Sequence, residues 1–468
     1  LANLYCAQGK YEQAESLYLR ALDIYEKGLG AKHPETATAL DNLANLYSAQ
    51  GKYEQAEPLY RRALDILDIY EKVSGTKHPE TATALDNLAN LYSAQGKYKQ
   101  AEPLYRRALD ILDIYEKGLG AKHPETATTL DNLAQLYAAQ GKYAQAEPLY
   151  LRALDILDIY EKVWGDKHPE TAIALDNLAN LYSVQGKYAQ AEPLYRRALD
   201  IYQKERGTED TEIVMALDNL ANLYRVQDKY EEAEPLYLQL LNIREKALGT
   251  NHPEIVTTLN NLANVYCDQE KYKQAEPLCL RALTIAEKGL GTEHPEKAIT
   301  LNTLAGLYYA WGKYEQAEPL LRQALVIYEK VWGAKHPEIA SILNNLASLY
   351  CAQGKYKQAE PLLQRALDIC KQVLGGEHSE TAIILNSLAQ LYSAQGKYEQ
   401  AEPLLQQAQE IYEKALGTEH PDTIKTAKNY VSLLQMIRRM QDANQPEKVL
   451  SDSLSRSSLQ LPETPSNV

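Results

Sequence analysis

The side chains able to ligate a metal or relay a proton in this 468-residue chain are nine histidines and five cysteines, and their spacing decides what they can do. His33, His78, His123, His168, His252, His294, His336, His378 and His420 stand one per repeated segment, in most cases just before Pro-Glu. A metal needs ligands converging within a few ångströms, whereas one His per unit separates them by a stacked helix pair, on the order of 20 Å. Pro followed by an acid suits the first turn of a helix and its dipole, so the histidines read as part of a helix-start signal. None is left over for a catalytic triad. The cysteines are odd in number with no Cys-x-x-Cys, which favours a reducing compartment over a disulfide framework. Gly-Lys-Tyr recurs but is never Gly-Lys-Ser/Thr, and Gly-x-Gly at Gly28, Gly118 and Gly289 lacks a third glycine and a preceding strand. The expectation is therefore no enzyme, no metal and no cofactor.

The elements that place these residues are legible in residues 39 to 66, ALDNLANLYSAQGKYEQAEPLYRRALDI. Leu40, Leu43, Ala44 and Tyr47 have the i, i+3, i+4, i+7 spacing of one apolar helix face. Gly51-Lys52 interrupts it, and a second stripe follows at Tyr53, Ala56, Tyr60, Ala63 and Leu64. Ala44, Ala56 and Ala63 let two backbones approach closely while tyrosines fill the space beside them, so the unit is an antiparallel helix hairpin. Its Gly-Lys-Tyr turn returns every 42 or 45 residues, from Lys10 to Lys397, with Asp228 and Glu270 replacing the glycine twice. Tyr numbers 35 and Phe is absent; tyrosine recurs in four slots, those of Tyr47, Tyr53, Tyr60 and Tyr70, all read as core.

This pattern resembles the tetratricopeptide repeat: Leu-Ala then Tyr in the first helix, Gly before Tyr at the turn, Ala-x6-Ala-Leu in the second. A second helix running on into IYEK, then LG and KHPET, is similar to the kinesin light chain subfamily, and the near-identity of the units resembles its bacterial members. The resemblance implies an all-α right-handed superhelical solenoid whose first helices line a concave, partner-binding surface. The subfamily's amino-terminal heptad segment is absent from this chain, which begins at Leu1 within a first helix.

A length of 468 residues suggests about three domains at roughly 150 each, but a stacked array forms one elongated domain. The organisation predicted is a partial repeat over 1–32, nine tandem repeats over 33–419, a capping helix over 420–444 and a disordered tail over 445–468. In three units ALDIY becomes ALDILDIY, which predicts second helices longer by about 4.5 Å with the last turn rotated by about 60°. Each second helix ends at a glycine, from Gly30 to Gly417, suited to a left-handed cap. A net charge of −14 opposes a nucleic-acid ligand, because counterion release needs clustered Lys and Arg. No apolar run approaches the ~20 residues a bilayer span needs, and the expected location is the cytoplasm.

What the first helix leaves over is its polar side. Asp41, Asn42, Asn45 and Ser48 lie opposite the Leu stripe. The Asn45 position holds Asn90, Asn180, Asn222 and Asn264, broken by Gln135, Gly306, Ser348 and Gln390. Beside it run Asn87, Asn132, Asn177, Asn219, Asn261 and Asn345. The Asp41 position is acidic early, at Asp86, Asp131, Asp176 and Asp218, and neutral later, at Asn260, Asn302, Asn344 and Asn386. An amide offers a donor and an acceptor, which suits the main chain of an extended peptide; alternatively it solvates a helix face or bonds a neighbouring repeat. The expected function is a scaffold or adaptor holding a protein or peptide in this groove, with the early aspartates favouring a basic or neutral ligand. The alternative is a sensor array of a larger signalling protein whose catalytic or nucleotide-switch domain lies upstream. Cys279 replaces a core Tyr; Cys6, Cys267 and Cys351 occupy the Ser48 position as free thiols.

Overall fold

The computed structural model describes residues 11–119, 124–164, 169–206 and 211–444, with Ala2 and Tyr5. The described residues form helices joined by short turns. In chain order these are α1 (Tyr11–Gly28), α2 (Pro34–Ala49), α3 (Tyr53–Ser74), α4 (Pro79–Ala94), α5 (Tyr98–Leu119), α6 (Pro124–Ala139), α7 (Tyr143–Trp164), α8 (Pro169–Val184), α9 (Tyr188–Arg206) and α10 (Thr211–Val226). They continue as α11 (Tyr230–Leu248), α12 (Ile255–Asp268), α13 (Tyr272–Gly289), α14 (Pro295–Ala310), α15 (Tyr314–Trp332), α16 (Pro337–Ala352), α17 (Tyr356–Val373), α18 (Ser379–Ala394), α19 (Tyr398–Leu416) and α20 (Pro421–Asn444). Contacts divide the chain into two compact units, residues 1–183 with 189–216 and residues 184–188 with 217–468. Each is a stack of hairpins in which the even-numbered helix comes first. The predicted tail, 445–468, lies outside the described residues, as do residues 1, 3, 4 and 6–10 of the partial first repeat.

Local chemistry explains where each helix begins and ends. His33, His294, His336 and His378 are N-caps whose Nδ1 accepts from the backbone N–H two residues on, at 3.2 to 3.3 Å, with Pro at the next position in the first three. The repeated histidine is thus a capping residue in the slot usually held by Ser or Asp. Gly51, Gly96 and Gly141 turn the hairpins at φ near +70°, and Gly30, Gly249 and Gly417 close second helices at φ from +90° to +101°. Where the turn glycine is replaced, Asp228 and Glu270 take φ of +59°, a region unfavourable to a side-chain-bearing residue. The helices run through Pro58, Pro103 and their counterparts at the sixth position, where the missing N–H falls near the unpaired first turn.

Packing within a hairpin is close because alanines meet. Ala44, Ala56 and Ala63 are fully buried, with Leu40, Leu43 and Tyr60 around them. Each fully buried leucine contributes about 1.5–3 kcal/mol by transfer from water. Between hairpins, first helices touch first helices: α2 with α4 and α4 with α6 in one unit, α12 with α14, α14 with α16 and α16 with α18 in the other. Two polar links recur along the stacks, the second of them interrupted where Gln239, Gln323 and Gln407 replace the arginine. The tyrosine near the end of a first helix donates to a glutamate on the preceding second helix, as Tyr47 to Glu15 at 2.7 Å and Tyr350 to Glu318 at 2.8 Å, under a turn lysine stacked on its ring. An arginine of one second helix pairs with an acid of the one before it, as Arg62 with Glu26 and Arg365 with Glu329, both at 2.6 Å.

The three inserted residues do lengthen the second helix: α3, α5 and α7 have 22 residues, the others 18 or 19. They also correct one expectation. Tyr70, read as core, is 41% exposed, because the rotated last turn puts Leu67 in the buried place that Tyr202 and Tyr328 fill in shorter units. Among the described residues no helix is long and apolar enough to cross a membrane.

Candidate functional site

The first helices present one polar side along each stack, here termed the A face. The Asn45 position lies at its surface: Asn45, Asn90, Gln135 and Asn180 are exposed. Each amide is held by its own hairpin. Tyr60, Tyr105 and Tyr195, buried on the second helices, donate from Oη to Asn45, Asn90 and Asn180 Oδ1 at 2.6 Å, and Tyr237 does the same to Asn222 at 2.7 Å. The amide nitrogens reach back one turn, Asn45 to Asp41 and Asn90 to Asp86 at 3.2 Å, and Gln135 to Asp131 at 2.8 Å.

The same carboxylates join neighbouring repeats. Asp41, Asp86 and Asp131 accept, again on Oδ2, from Asn87, Asn132 and Asn177 of the next first helix at 2.7 to 2.8 Å. In the second unit Asn261 donates to Asp218 at 3.3 Å and Asn345 to Asn302 at 2.9 Å, while Asn260 turns to Thr300 at 3.0 Å. Tyr, Asn, Asp and the next Asn thus form one repeated relay. The structure places these residues on one face, but the acids expected to meet a ligand are buried or half-buried. Asp86, Asp131 and Asp176 are buried beneath the amide row, out of reach of a ligand side chain; over Asp86 and Asp131 the next first helix packs, donating from Asn132 and Asn177.

Burial pushes the carboxyls of Asp41, Asp86 and Asp131 up to about 6, against the Asn and Gln donors that pull Asp41, Asp86 and Asp131 down, and pushes Asp176 up to about 7. The second carboxyl oxygen explains the strength of the effect, since Oδ1 of all four is buried without a hydrogen-bond partner. Asp218 is also raised by burial, offset by the Arg244 guanidinium.

The relay exposes a signal that the sequence already carried. Where the second helix has Tyr60, Tyr105, Tyr195 or Tyr237, the Asn45 position is Asn and the Asp41 position Asp. Where it has Cys279, Leu321, Leu363 or Leu405, the acid becomes Asn260, Asn302, Asn344 or Asn386, and three of those four units lose the surface Asn as well. Asn264 keeps its amide opposite Cys279, which has no hydroxyl to offer. Burial pushes the Cys279 thiol up to about 12 and Cys267 up to about 11, far from a reactive thiolate. Cys351 is half-buried and also raised by burial. Asn42 and Asn219 lie half-buried beside the relay on the same face.

An all-α array of helix hairpins in one register, with a polar face on its first helices, defines a repeat protein of the interaction class. Models of the tetratricopeptide repeat match residues 1–68, 65–113, 110–159, 156–204, 212–267, 254–330, 338–414 and 392–448, and a second such model matches 302–373. The chain belongs to the tetratricopeptide repeat family. No curated protein matches it. Among solved structures it is similar to a Podosopora anserina protein described as a kinesin light chain with nearly identical TPR-like repeats, at 29% identity over 43% of this chain and 95% of that one, TM-score 0.37. BtubC (BKLC) of P. vanneervenii is 24% identical over 51% of this chain and 93% of its own, TM-score 0.39. A Pyrococcus horikoshii STAND ATPase with a tetratricopeptide repeat sensor is 15% identical over 80% of this chain and 52% of its own, TM-score 0.47.

Proposed function

We propose that this chain is a non-enzymatic scaffold that binds an extended peptide segment of a protein partner along the A face. The observation that carries this reading is the row of exposed amides held rigid from below. Asn45 and Asn90 each give one N–H to an aspartate and one carbonyl lone pair to a tyrosine, and Asn180 accepts from Tyr195 in the same way. An amide has two N–H groups and two lone pairs, so each keeps a donor and an acceptor directed outward. Amides ordered in advance lose little side-chain entropy on binding, which suits main-chain recognition repeated at the spacing of the hairpins. Asn42, Asn87, Asn132 and Asn177 flank the same path. The buried acids set the geometry of the row and do not meet the ligand, so recognition by this face is expected to be largely polar and only weakly salt-dependent.

Selection of a displayed library of extended peptides on the full chain tests the proposal. Asn45, Asn90 and Asn180 changed together to Ala are expected to weaken selected peptides by tenfold or more with the helical signal intact. Retained affinity in that variant refutes the reading.

A further inference from the structure

At the carboxyl-terminal end of the second unit, α20 occupies the register of a first helix, with Pro421 at the place of Pro337. In the preceding hairpins that register has a second helix of its own: Ala340, Leu343, Ala347 and Tyr350 share one core cluster with Ala359, Leu363 and Ala366 of α17. On α20 the corresponding residues are Ile424, Ala427, Val431 and Leu434, and nothing among the described residues covers them. Ile424 is 42%, Val431 52% and Leu434 39% exposed, against 3% or less at the counterparts. The opposite side of α20 is buried in the ordinary way, through Thr423, Thr426 and Leu433.

The charges around this face state what fits it. In several second helices the acid at the sixteenth position takes an arginine from the next second helix, as Glu26 takes Arg62, Glu245 takes Arg281 and Glu329 takes Arg365, whereas α9 and α17 have Gln203 and Lys371 there. Glu413 of α19 stands at that same position and is exposed, and among the described residues its carboxylate accepts from Gln409 Nε2 at 2.8 Å. It lines a groove with Thr423, Ile424, Lys428 and Val431. Lys428, at the Asp41 position, and Arg438 and Arg439, two turns beyond Val431, lie within about 60° of the apolar stripe at 100° per residue and are exposed. Lys428 also ends the A-face relay: Asn429 donates to Asn386 at 3.5 Å, but a lysine cannot accept from a further Asn as Asp41 and Asp86 do. The end is therefore closed to another copy of the same repeat while its hairpin face remains open.

We infer that this face docks one amphipathic helix supplied by a protein partner, lying antiparallel to α20 in the place of a second helix. Its apolar stripe presents Ala opposite Val431, carboxylates in its first turn meet Arg438 and Arg439, and an arginine near its middle meets Glu413. Residues 53–74 of this chain have those properties: Glu54 in the first turn, Ala56 and Ala63 in the stripe, Arg62 at the tenth position. This site is separate from the A face and does not depend on the reading given for it.

The test is fluorescence anisotropy with a lactam-stabilised synthetic helix of that sequence titrated with the full chain. Saturable binding is expected, weakened at least tenfold by Val431→Glu, which is exposed and leaves the helical signal unchanged. Glu413→Lys is expected to weaken it similarly and Arg62→Glu in the peptide to restore it, while Asn90→Ala and Asn180→Ala have no effect. Absence of saturation by about 1 mM, or binding indifferent to Val431→Glu, overturns the inference. Tenfold tighter binding on changing Leu454 and Leu461 to Asp assigns the face to the chain's own tail and overturns it as well. So does a dimer in sedimentation that Val431→Glu converts to monomer.

Discussion

Lowering the pH from about 7 to about 5 is expected to stabilise the first unit, because four aspartates there, Asp41, Asp86, Asp131 and Asp176, are costly to keep ionised. Asp41, Asp86 and Asp131 have carboxyls raised from 3.8 to about 6 by burial. A group whose folded value is raised contributes stability that is fully present below the unfolded value and lost as pH rises through the folded one. The full effect is about 3 kcal/mol per site, of which about 1 kcal/mol falls between pH 7 and pH 5. The groups facing Asp86 are the donors Asn90, Asn132 and Thr129, which lower its value, and Glu125, which raises it. Asn at these positions keeps the acceptor for the next repeat, as Asn302 does for Asn345. Changing Asp41, Asp86 and Asp131 to Asn is therefore expected to leave the relay intact, to be neutral or stabilising at pH 7, and to remove about 3 kcal/mol of the pH dependence. Asp86→Ala instead strands two amide donors and costs about 1–3 kcal/mol. Urea midpoints followed by circular dichroism at each pH read all of this. The reasoning fails if the triple Asn variant keeps the wild-type slope, since the general relief of a −14 net charge would then account for it.

Three further outcomes follow from single positions. Glu270→Gly relieves a left-handed residue at φ +59° and is expected to raise the urea midpoint, by about 1 kcal/mol, with Asp228→Gly gaining less because Asp tolerates that region better. Ala179→Leu, at a fully buried close-contact site, is expected to cost about 1–3 kcal/mol by overpacking; a neutral result would show slack between the helices. Cys279, fully buried with its thiol pushed up to about 12, is expected to react with a thiol reagent only after unfolding, and rapid native labelling would contradict its placement.

The hairpins were legible because a helix face repeats every three or four residues, so Leu40, Leu43, Ala44 and Tyr47 announce themselves within about two turns of each other. Gly75 was legible as a left-handed cap, and the inserted LDI as a longer helix, for equally local reasons, whereas Gly249 and Gly417 close their helices with ψ of 156° and 165° outside that region. The role of Asn45 was not, because Tyr60 lies fifteen residues away on the other helix and the Asp41 that Asn45 shares is tied to Asn87 in the next repeat. The clue was joint variation: Tyr60, Asn45 and Asp41 change in step along the chain, and a reading of each helix alone cannot use that. Tyr70 was misjudged for a related reason. Its spacing is that of a core residue until the rotation caused by three extra residues is carried through to the end of the helix.

The account rests most directly on where a bound peptide sits. Hydrogen–deuterium exchange of the full chain with and without a selected extended peptide measures this. Slowed exchange is expected in the first helices α2, α4, α6 and α8, with the paired second helices unchanged. Protection confined to second helices, or to α20 alone, would contradict binding along the A face.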